Sequence, residues 1–245
     1  MKVWIAAWSI LAKDARTYYL KPPNVSWGLI FPLAWTGMLF LRSAAGVESV
    51  AELLPGVMAV AVLFGTTSLL AVVVAFERRG RSFERLLVAP IPLVVLLLAK
   101  TGGAILFGLV NAFVPVILAA FLIDLSIVDW PALIGAAALL SASSAFLGLF
   151  IAVSVREVFE AQALSNFFRF PMLFLCGLFL PVEQLPAWMR PLSYALPLTY
   201  GADLLRGSIG GVNRLPPAAS FALLAASCAA LFALSLRVVR RRWIA

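Results

Sequence analysis

Charged side chains are rare in this chain, and many of them lie in one short segment between two apolar runs. The segment, residues 76–92, reads FERRGRSFERLLVAPIP. Glu77 and Arg81 are four residues apart, in the order that favours an ion pair on a helix. The apolar residues of the segment share one helical face: Phe83, Leu86 and Leu87. Such a short amphipathic helix could bind the surface of another protein through its charges and its apolar stripe.

Residue types that would support catalysis or metal binding are absent or misplaced in this chain. It contains no histidine, and its two cysteines, Cys176 and Cys228, lie in apolar runs where buried thiols are expected. Lys100 and Thr101 match the end of a phosphate-binding loop, but the glycines that must precede them are missing. We therefore expect no catalytic residue, and no metal or cofactor bound by this chain.

The composition is that of a membrane protein. Hydrophobic residues make up 63% of the 245 residues, and charged residues make up 12%. A soluble domain of this size needs more polar side chains to cover its surface. Apolar stretches of about 20 residues recur, which is the length that crosses a hydrocarbon core of about 30 Å. We predict an all-α integral membrane protein with a single domain over residues 1–245, and we do not attribute its positive charge to nucleic-acid binding.

An interfacial helix and six membrane spans are predicted. Residues 1–22 place Trp4 and Trp8 on one helical face and Lys13 and Arg16 on the other, as in an amphipathic helix that lies in the membrane interface. The alternative is that this segment is the frayed start of the first span. The six spans are predicted over residues 24–42, 53–76, 93–123, 131–155, 161–181 and 217–239.

Lysine and arginine placement predicts the orientation, because cytoplasmic loops are enriched in these residues. Six spans put both termini on one side of the membrane. If that side is the cytoplasm, most basic residues fall there, and the outer set is Arg42, Arg190, Arg206 and Arg214. We predict a multi-pass protein of the cytoplasmic membrane with both termini in the cytoplasm. Residues 77–92 are then cytoplasmic, either as a docking helix or as an ordinary basic loop.

A second unusual segment, residues 182–206, combines apolar and charged residues with several prolines. Two interpretations remain open. The segment is either a re-entrant helical hairpin at the outer membrane surface or an ordinary extracellular loop with two amphipathic turns. Asp203 and Arg206 are spaced for an ion pair on a helix.

Two sequence blocks resemble ABC-2 type exporter permeases, the membrane subunits of one class of ATP-binding-cassette exporter. Residues 77–90, ERRGRSFERLLVAP, resemble the family's E-R-E-x-G-T-hydrophobic-E-x-L-L-x-x-P segment. Residues 177–207 resemble its G-x-x-x-P, L-P-x-W and N-P-L-T-Y-x-x-D-x-x-R segment. Arg79, Ser82 and Leu196 depart from the family's usual acidic residue, threonine and asparagine. The similarity covers essentially the whole chain, and its second block is closest to multidrug-type members.

The resemblance implies roles for both blocks. The residues expected to dock on an ATPase are Glu77, Arg78, Arg81, Phe83, Glu84, Arg85, Leu86, Leu87 and Pro90. The residues expected at an outer gate are Pro181, Pro186, Trp188, Pro197, Tyr200, Asp203 and Arg206. The implied partners are two copies of a cytoplasmic ABC ATP-binding subunit, which would carry ATP and magnesium, a second permease copy in a homodimer, and membrane lipid.

Polar residues in two predicted spans are candidates for a substrate pathway, which the resemblance would place at a dimer interface. They are Thr66, Thr67, Gln162, Asn166, Arg169 and Phe170. For Arg169 the alternatives are snorkelling toward the headgroups, pairing with Glu157 or Glu160, or facing a cavity that accepts anionic or polar headgroups. The two threonines could line the same cavity or serve in close helix packing.

The function expected from these features is that of a permease subunit in an ATP-driven exporter. Its substrate would be an amphipathic molecule such as a drug, a lipid or a lipid-linked glycan, moved by alternating access. The alternative is a self-contained membrane protein such as an ion-coupled transporter. That class should carry acidic or histidine residues in the middle of its spans, and the predicted spans contain none.

Overall fold

The computed structural model describes residues 2–21, 50–121, 123–178 and 181–244, together with isolated positions 30, 34, 37, 38 and 41. The predicted first span, residues 24–42, lies outside the described ranges except at those positions. Every regular element within the described ranges is a helix, which confirms the predicted all-α class.

The helices follow the order of the predicted elements. α1 spans Lys2–Asp14 and continues as a π-helical turn over Ala15–Tyr19. The next helices are α2 (Val50–Arg79), α3 (Ser82–Leu87), α4 (Leu93–Ala119), α5 (Trp130–Ser154) and α6 (Val158–Leu175). A 3-10 turn at Val182–Gln184 precedes α7 (Arg190–Ala195), α8 (Pro197–Gly210) and α9 (Pro217–Val239), and α9 continues as a π-helical turn over Arg240–Ile244.

Within the described ranges, four helices are long and apolar enough to cross a membrane: α2, α4, α5, and α9 with the turn after it. They match the predicted spans at residues 53–76, 93–123, 131–155 and 217–239. In the place of the predicted span 161–181, α6 has 18 residues and ends at Leu175. Its hydropathy is reduced by Gln162, Asn166 and Arg169. The six-span arrangement stays a prediction.

The centre of the fold is formed by α2 and α5, with α4 packed against α2 and α9 packed against α5. At Gly148 of α5 an added Cβ atom would lie 2.6 Å from the carbonyl oxygen of Thr67 in α2. The Thr67 hydroxyl donates a hydrogen bond to the carbonyl oxygen of Ser144, at 3.2 Å. Small and hydroxyl-bearing residues of this kind let membrane helices approach closely.

The segment predicted as an outer hairpin, residues 182–206, folds into the 3-10 turn, α7 and most of α8. Pro197 begins α8 directly after α7, so the chain turns there instead of continuing as one helix. α8 is largely buried and packs against α2, α5 and α9, with Leu198 and Leu205 in the main hydrophobic core. Re-entry of this segment into the bilayer stays a prediction.

A cluster of four charged side chains, of which Asp14, Glu77 and Lys100 are buried and Lys13 is exposed, joins α1, α2 and α4. Lys100 of α4 is fully buried and donates hydrogen bonds to both carboxylate oxygens of Asp14, at 3.0 and 2.9 Å, and to the carboxylate of Glu77. Lys13 donates to the same two acids, with its ammonium 3.1 Å from Asp14. The predicted ion pair between Glu77 and Arg81 is wrong, because the Glu77 carboxylate points into this cluster.

The two acids and two lysines neutralise one another, which is the condition under which burying charge becomes tolerable. Burial alone would lower the pKa of Lys13, but the hydrogen bond to Glu77 and the charge of Asp14 hold that pKa above its usual range. Next to the cluster, Tyr19 lies on Gly103, where an added Cβ atom would come within 2.8 Å of its ring. α1 is thus attached to α4 by charge and by close packing.

Removing one charge from the cluster should destabilise the protein more than removing an opposite pair. Lys100→Met leaves two buried carboxylates with one lysine and should cost about 3–5 kcal/mol. The double substitution Lys100→Met with Glu77→Gln restores neutrality and should recover a large part of that loss. Thermal unfolding of the purified protein in detergent measures both effects.

The matched control for this experiment is Lys21→Met, since Lys21 is exposed. It should leave the unfolding temperature almost unchanged. Equal losses for the single Lys100 variant and the double variant would contradict the neutral-cluster interpretation.

Candidate functional site

The charged segment at residues 77–92 folds as the end of α2, a tight turn, and the short helix α3. Arg81 adopts the left-handed backbone conformation, with φ of 55°, and this reverses the chain between the two helices. The Ser82 hydroxyl donates a hydrogen bond to the carbonyl oxygen of Glu77, at 3.0 Å. The predicted short helix is therefore present, and its orientation is fixed by the end of α2.

The apolar stripe of α3 faces the protein rather than the solvent. Phe83 is fully buried, and Leu86 and Leu87 are half-buried against a small cluster that includes Ile10 and Leu96. Because Phe83 has no exposed surface, it cannot contact a partner directly as the sequence suggested. The stripe instead holds α3 against α1 and α4.

The outward face of this segment is charged. Its exposed residues include Arg79, Arg81, Glu84, Arg85, Val88 and Pro90. Within the predicted docking set, Arg81, Glu84, Arg85 and Pro90 thus remain available for contact. Glu77 is not available, since its carboxylate lies inside the ion cluster. We call Arg79, Arg81, Glu84, Arg85, Val88 and Pro90 together the α3 surface.

The turn that follows α9 braces the α3 surface from behind. The Trp243 ring lies edge-on to Phe83, with ring centroids 5.1 Å apart. The Arg78 guanidinium also lies over the Trp243 ring, 4.2 Å from its centroid. Arg78 donates to the carbonyl oxygen of Val155, and Arg242 donates to that of Ser154, at 3.0 Å. The end of α2, the α5–α6 loop and the turn after α9 therefore meet under α3.

Sequence reasoning missed Trp243, Lys13, Asp14 and Lys100 as partners of this segment. The local signals were present: a tryptophan in a basic stretch, and a lysine inside an otherwise apolar span. An intramembrane lysine implies a nearby acid, but the sequence alone does not say which one.

In the segment predicted to lie outside, the predicted pair between Asp203 and Arg206 is wrong. Asp203 is buried and accepts hydrogen bonds from the backbone N–H groups of Arg214 and Leu215, at 2.9 and 3.2 Å. Arg206 is half-buried and donates to the carbonyl oxygen of Gly177, at 3.0 Å. Both side chains thus tie α8 to neighbouring loops.

The remaining residues predicted at an outer gate differ in exposure. Tyr200 is buried and donates to the carbonyl oxygen of Tyr194, which ties α8 to α7. Pro186 and Trp188 are exposed, and Trp188 has 72% of its surface accessible. Pro181, which directly precedes the 3-10 turn, and Pro197, which begins α8, are both half-buried. These residues lie in one region of the fold, and their role in a gate stays a prediction.

Among the predicted pathway residues, the two threonines serve in helix packing. Thr66 is fully buried in α2, and its hydroxyl would lie 2.2 Å from a Cβ atom added at Gly108 of α4. The Thr67 hydroxyl donates its hydrogen bond to the backbone of α5. Neither side chain faces open space in this single chain, so the packing interpretation fits better than the cavity interpretation.

The polar residues of α6 surround one guanidinium. Arg169 is 3% exposed and donates to the carbonyl oxygens of Ser165 and Phe64, at 3.2 and 3.4 Å, and to the side-chain oxygen of Asn166. The predicted alternative of pairing with Glu157 or Glu160 is wrong, because those two acids form a capping box at the start of α6. Gln162 is half-buried and Phe170 is exposed on the same helix.

The sequence model of the ABC-2 type transporter family matches residues 6–209. This chain belongs to the ABC-2 type transporter family. Curated relatives called inner membrane transport permease YadH, from Escherichia coli K12, Escherichia coli O157:H7 and Shigella flexneri, are each 22% identical to it over 246 aligned residues. In each case the alignment covers 97% of this chain and 96% of the relative.

The matched range of this ABC-2 protein includes the α3 surface, α6 and the outer segment, but it ends before α9. Trp243 therefore lies beyond the part of the chain that the family description covers, although it contacts the most distinctive family segment. The brace formed by Trp243 is a feature of this chain that only the folded structure places beside α3.

Trp243→Ala should loosen α3 in this ABC-2 protein without unfolding it. The substitution removes one aromatic pair and one cation–π contact, worth about 1–2 kcal/mol together. Hydrogen exchange of the backbone amides at residues 77–90, measured by mass spectrometry in lipid nanodiscs, should become faster.

Trp130→Ala is the matched control, because Trp130 is partly exposed at the start of α5 and lies outside the brace. It should leave exchange at residues 77–90 unchanged. Unaltered exchange in Trp243→Ala would mean that α3 is held by its other contacts alone.

Proposed function

We propose that this chain is the permease subunit of an ATP-driven exporter that moves an amphipathic substrate across the cytoplasmic membrane by alternating access. The observation that carries the proposal is the α3 surface. It is an exposed charged face on a short helix that is fixed from behind by an ion cluster and an aromatic brace. A rigidly mounted helix can transmit force from a partner to the spans, whereas a solvated loop would absorb it.

The partner for this surface is a cytoplasmic ABC ATP-binding subunit, present in two copies. Support comes from membership of the ABC-2 family together with the composition of this chain, which lacks a phosphate-binding loop at Lys100 and Thr101. Lys100 is instead committed to the ion cluster. ATP and magnesium would be bound by the partner, and a second permease copy would complete the pathway.

Force applied at the α3 surface has a direct route to the spans. α3 follows α2 across one tight turn and contacts α4, and the ion cluster connects both helices to α1. Movement of α3 would therefore shift α1, α2 and α4 together. This coupled shift is the motion by which closing of the ATP-binding subunits would switch the permease between inward-facing and outward-facing states.

The ion-coupled alternative is less well supported by the described side chains. Coupling by protons or sodium requires acids that can change their charge or bind a cation. Asp14 and Glu77 are both paired with lysines, and Asp203 is held by two backbone N–H groups. These buried acids are committed to structural contacts.

Charge reversal on the α3 surface should weaken partner binding without affecting folding. Glu84→Arg alters an exposed side chain, and we expect about tenfold weaker retention of the ATP-binding subunit during co-purification. Asp124→Arg reverses an exposed acid in the α4–α5 loop and should leave retention unchanged. If the unaltered chain retains no ATP-binding subunit, or if Glu84→Arg transports normally, the docking role is wrong.

The proposed orientation has a separate test based on cysteine labelling. Arg85→Cys should react with a membrane-impermeant maleimide only after the cytoplasmic side is opened, and Asp124→Cys should react from outside in intact cells. The native thiols give little background, because Cys176 and Cys228 are both buried. Labelling of Arg85→Cys in intact cells would reverse the topology and place the α3 surface outside the cell.

A further inference from the structure

Arg169 is a buried cation whose contacts within the described ranges are all with neutral groups. Its guanidinium donates to two backbone carbonyl oxygens and to the Asn166 side chain, and it lies 4.5 Å from the centroid of the Phe64 ring. These contacts use three of the five N–H donors that a guanidinium has. Carbonyl dipoles and an aromatic face stabilise the charge, but they do not neutralise it.

The depth of Arg169 makes this arrangement unusual. Its partner Phe64 lies near the middle of α2, which is one of the helices able to cross the membrane. Arg169 itself is about 17 Å along α6 from Val158, at 1.5 Å per residue, and the hydrocarbon core is about 30 Å thick. Charged residues at this depth are rare and usually face a partner or a pathway.

Most acids of the described ranges make contacts away from Arg169. The chain has 11 acidic residues, of which Glu48 lies outside the described ranges. Eight of the others have these contacts: Asp14 and Glu77 in the ion cluster, Asp124 and Asp129 in the α4–α5 loop, Glu157 and Glu160 in the α6 cap, Glu183 with Arg214, and Asp203 with two backbone amides.

The other two acids in the described part of the chain both lie far from the middle of α2. Glu84 is exposed on α3, and Glu52 is in the first turn of α2. In the described ranges no carboxylate forms an ion pair with Arg169. The charge that would neutralise Arg169 must therefore come from outside these residues.

The surface beside Arg169 is aromatic. Phe170 is 48% exposed and lies edge-on to Phe64, with ring centroids 6.1 Å apart. A cation next to an aromatic surface suits a molecule that has an anionic group and an apolar body.

We propose that Arg169 binds the anionic group, a phosphate, sulfate or carboxylate, of the amphiphile that this permease transports. The inference rests on the proposed transport function and adds the charge class of the substrate. A planar guanidinium with two unused N–H donors matches the paired oxygens of such groups. On binding, the anion replaces the Asn166 contact, and the apolar body of the substrate packs against Phe170.

The test uses the permease reconstituted in vesicles with its ATP-binding partner, and two labelled lipids with the same acyl chains. One is fluorescent phosphatidylglycerol, which is anionic, and the other is fluorescent phosphatidylcholine, which is zwitterionic. Rhodamine 6G serves as a cationic probe. ATP-dependent movement should have a lower half-saturating concentration for phosphatidylglycerol than for the other two probes.

Substitutions at Arg169 should change this preference selectively. Arg169→Gln removes the charge and should raise the half-saturating concentration for phosphatidylglycerol by about tenfold or more, with little change for rhodamine 6G. Arg169→Lys keeps the charge but loses the planar guanidinium. Its half-saturating concentration for phosphatidylglycerol should therefore lie between those of the unaltered protein and of Arg169→Gln. Arg237→Gln is the matched control, because Arg237 is exposed near the end of α9.

The outcomes separate this inference from the proposed function. ATP-driven transport without preference for the anionic lipid, or an equal loss for all probes in Arg169→Gln, overturns the role of Arg169 and leaves the exporter proposal intact. Absence of ATP-driven transport for every probe counts against the exporter proposal. Native mass spectrometry of the permease with phosphatidylglycerol then decides whether Arg169 binds an anion at all.

Two further results are informative. If phosphatidylglycerol binds through Arg169 and stabilises the protein but is never moved, the anion belongs to a resident membrane lipid, and the substrate role is wrong. If Arg169→Gln lowers the thermal unfolding temperature too far for transport assays, Arg169→Lys decides. A lysine variant with a reduced preference for the anionic lipid and unaltered rhodamine 6G transport would support the proposal. One that keeps the full preference at unchanged stability, or that loses transport of all probes equally, would overturn it.

Discussion

The rest of the structure depends on the neutralisation of Lys100 inside the protein. An ammonium with no exposed surface is tolerated only when acids of matching charge surround it. Asp14 and Glu77 supply that charge from two other helices, so the first helix, the end of α2 and α4 cannot separate without exposing an unpaired ion. The α3 helix follows Glu77 closely in the chain, so the fixed position of Glu77 also fixes the position of α3.

The helical class and most of the spans follow from composition, because apolar length is set by the thickness of the bilayer. The short helix in the charged segment also follows from its pattern. The partners of Glu77 and Asp203 could not be predicted in this way. Local spacing suggested Arg81 and Arg206, but a buried carboxylate takes the donors that folding brings to it. For Glu77 these are lysines of two other helices, and for Asp203 they are backbone N–H groups of the loop after α8.

The apolar stripe of α3 illustrates a second limit of sequence reasoning. Amphipathic spacing correctly identifies a face that avoids water, but it does not say what covers that face. Phe83 is covered by Trp243 from the same chain, so the face available to a partner is the opposite, charged one. The same ambiguity applied to Thr66 and Thr67, whose hydroxyl groups would suit a pathway or a helix contact equally well until the positions of Gly108 and Gly148 are known.

The ion cluster also constrains how the protein is made. Asp14 and Glu77 precede Lys100 in the chain, so both acids are synthesised before their shared lysine emerges from the ribosome. Until α4 has entered the membrane, Lys13 is the one cation of the cluster that is present. The cluster is therefore completed late in biogenesis, when the lysine-bearing span arrives, although α1 is translated well before α4.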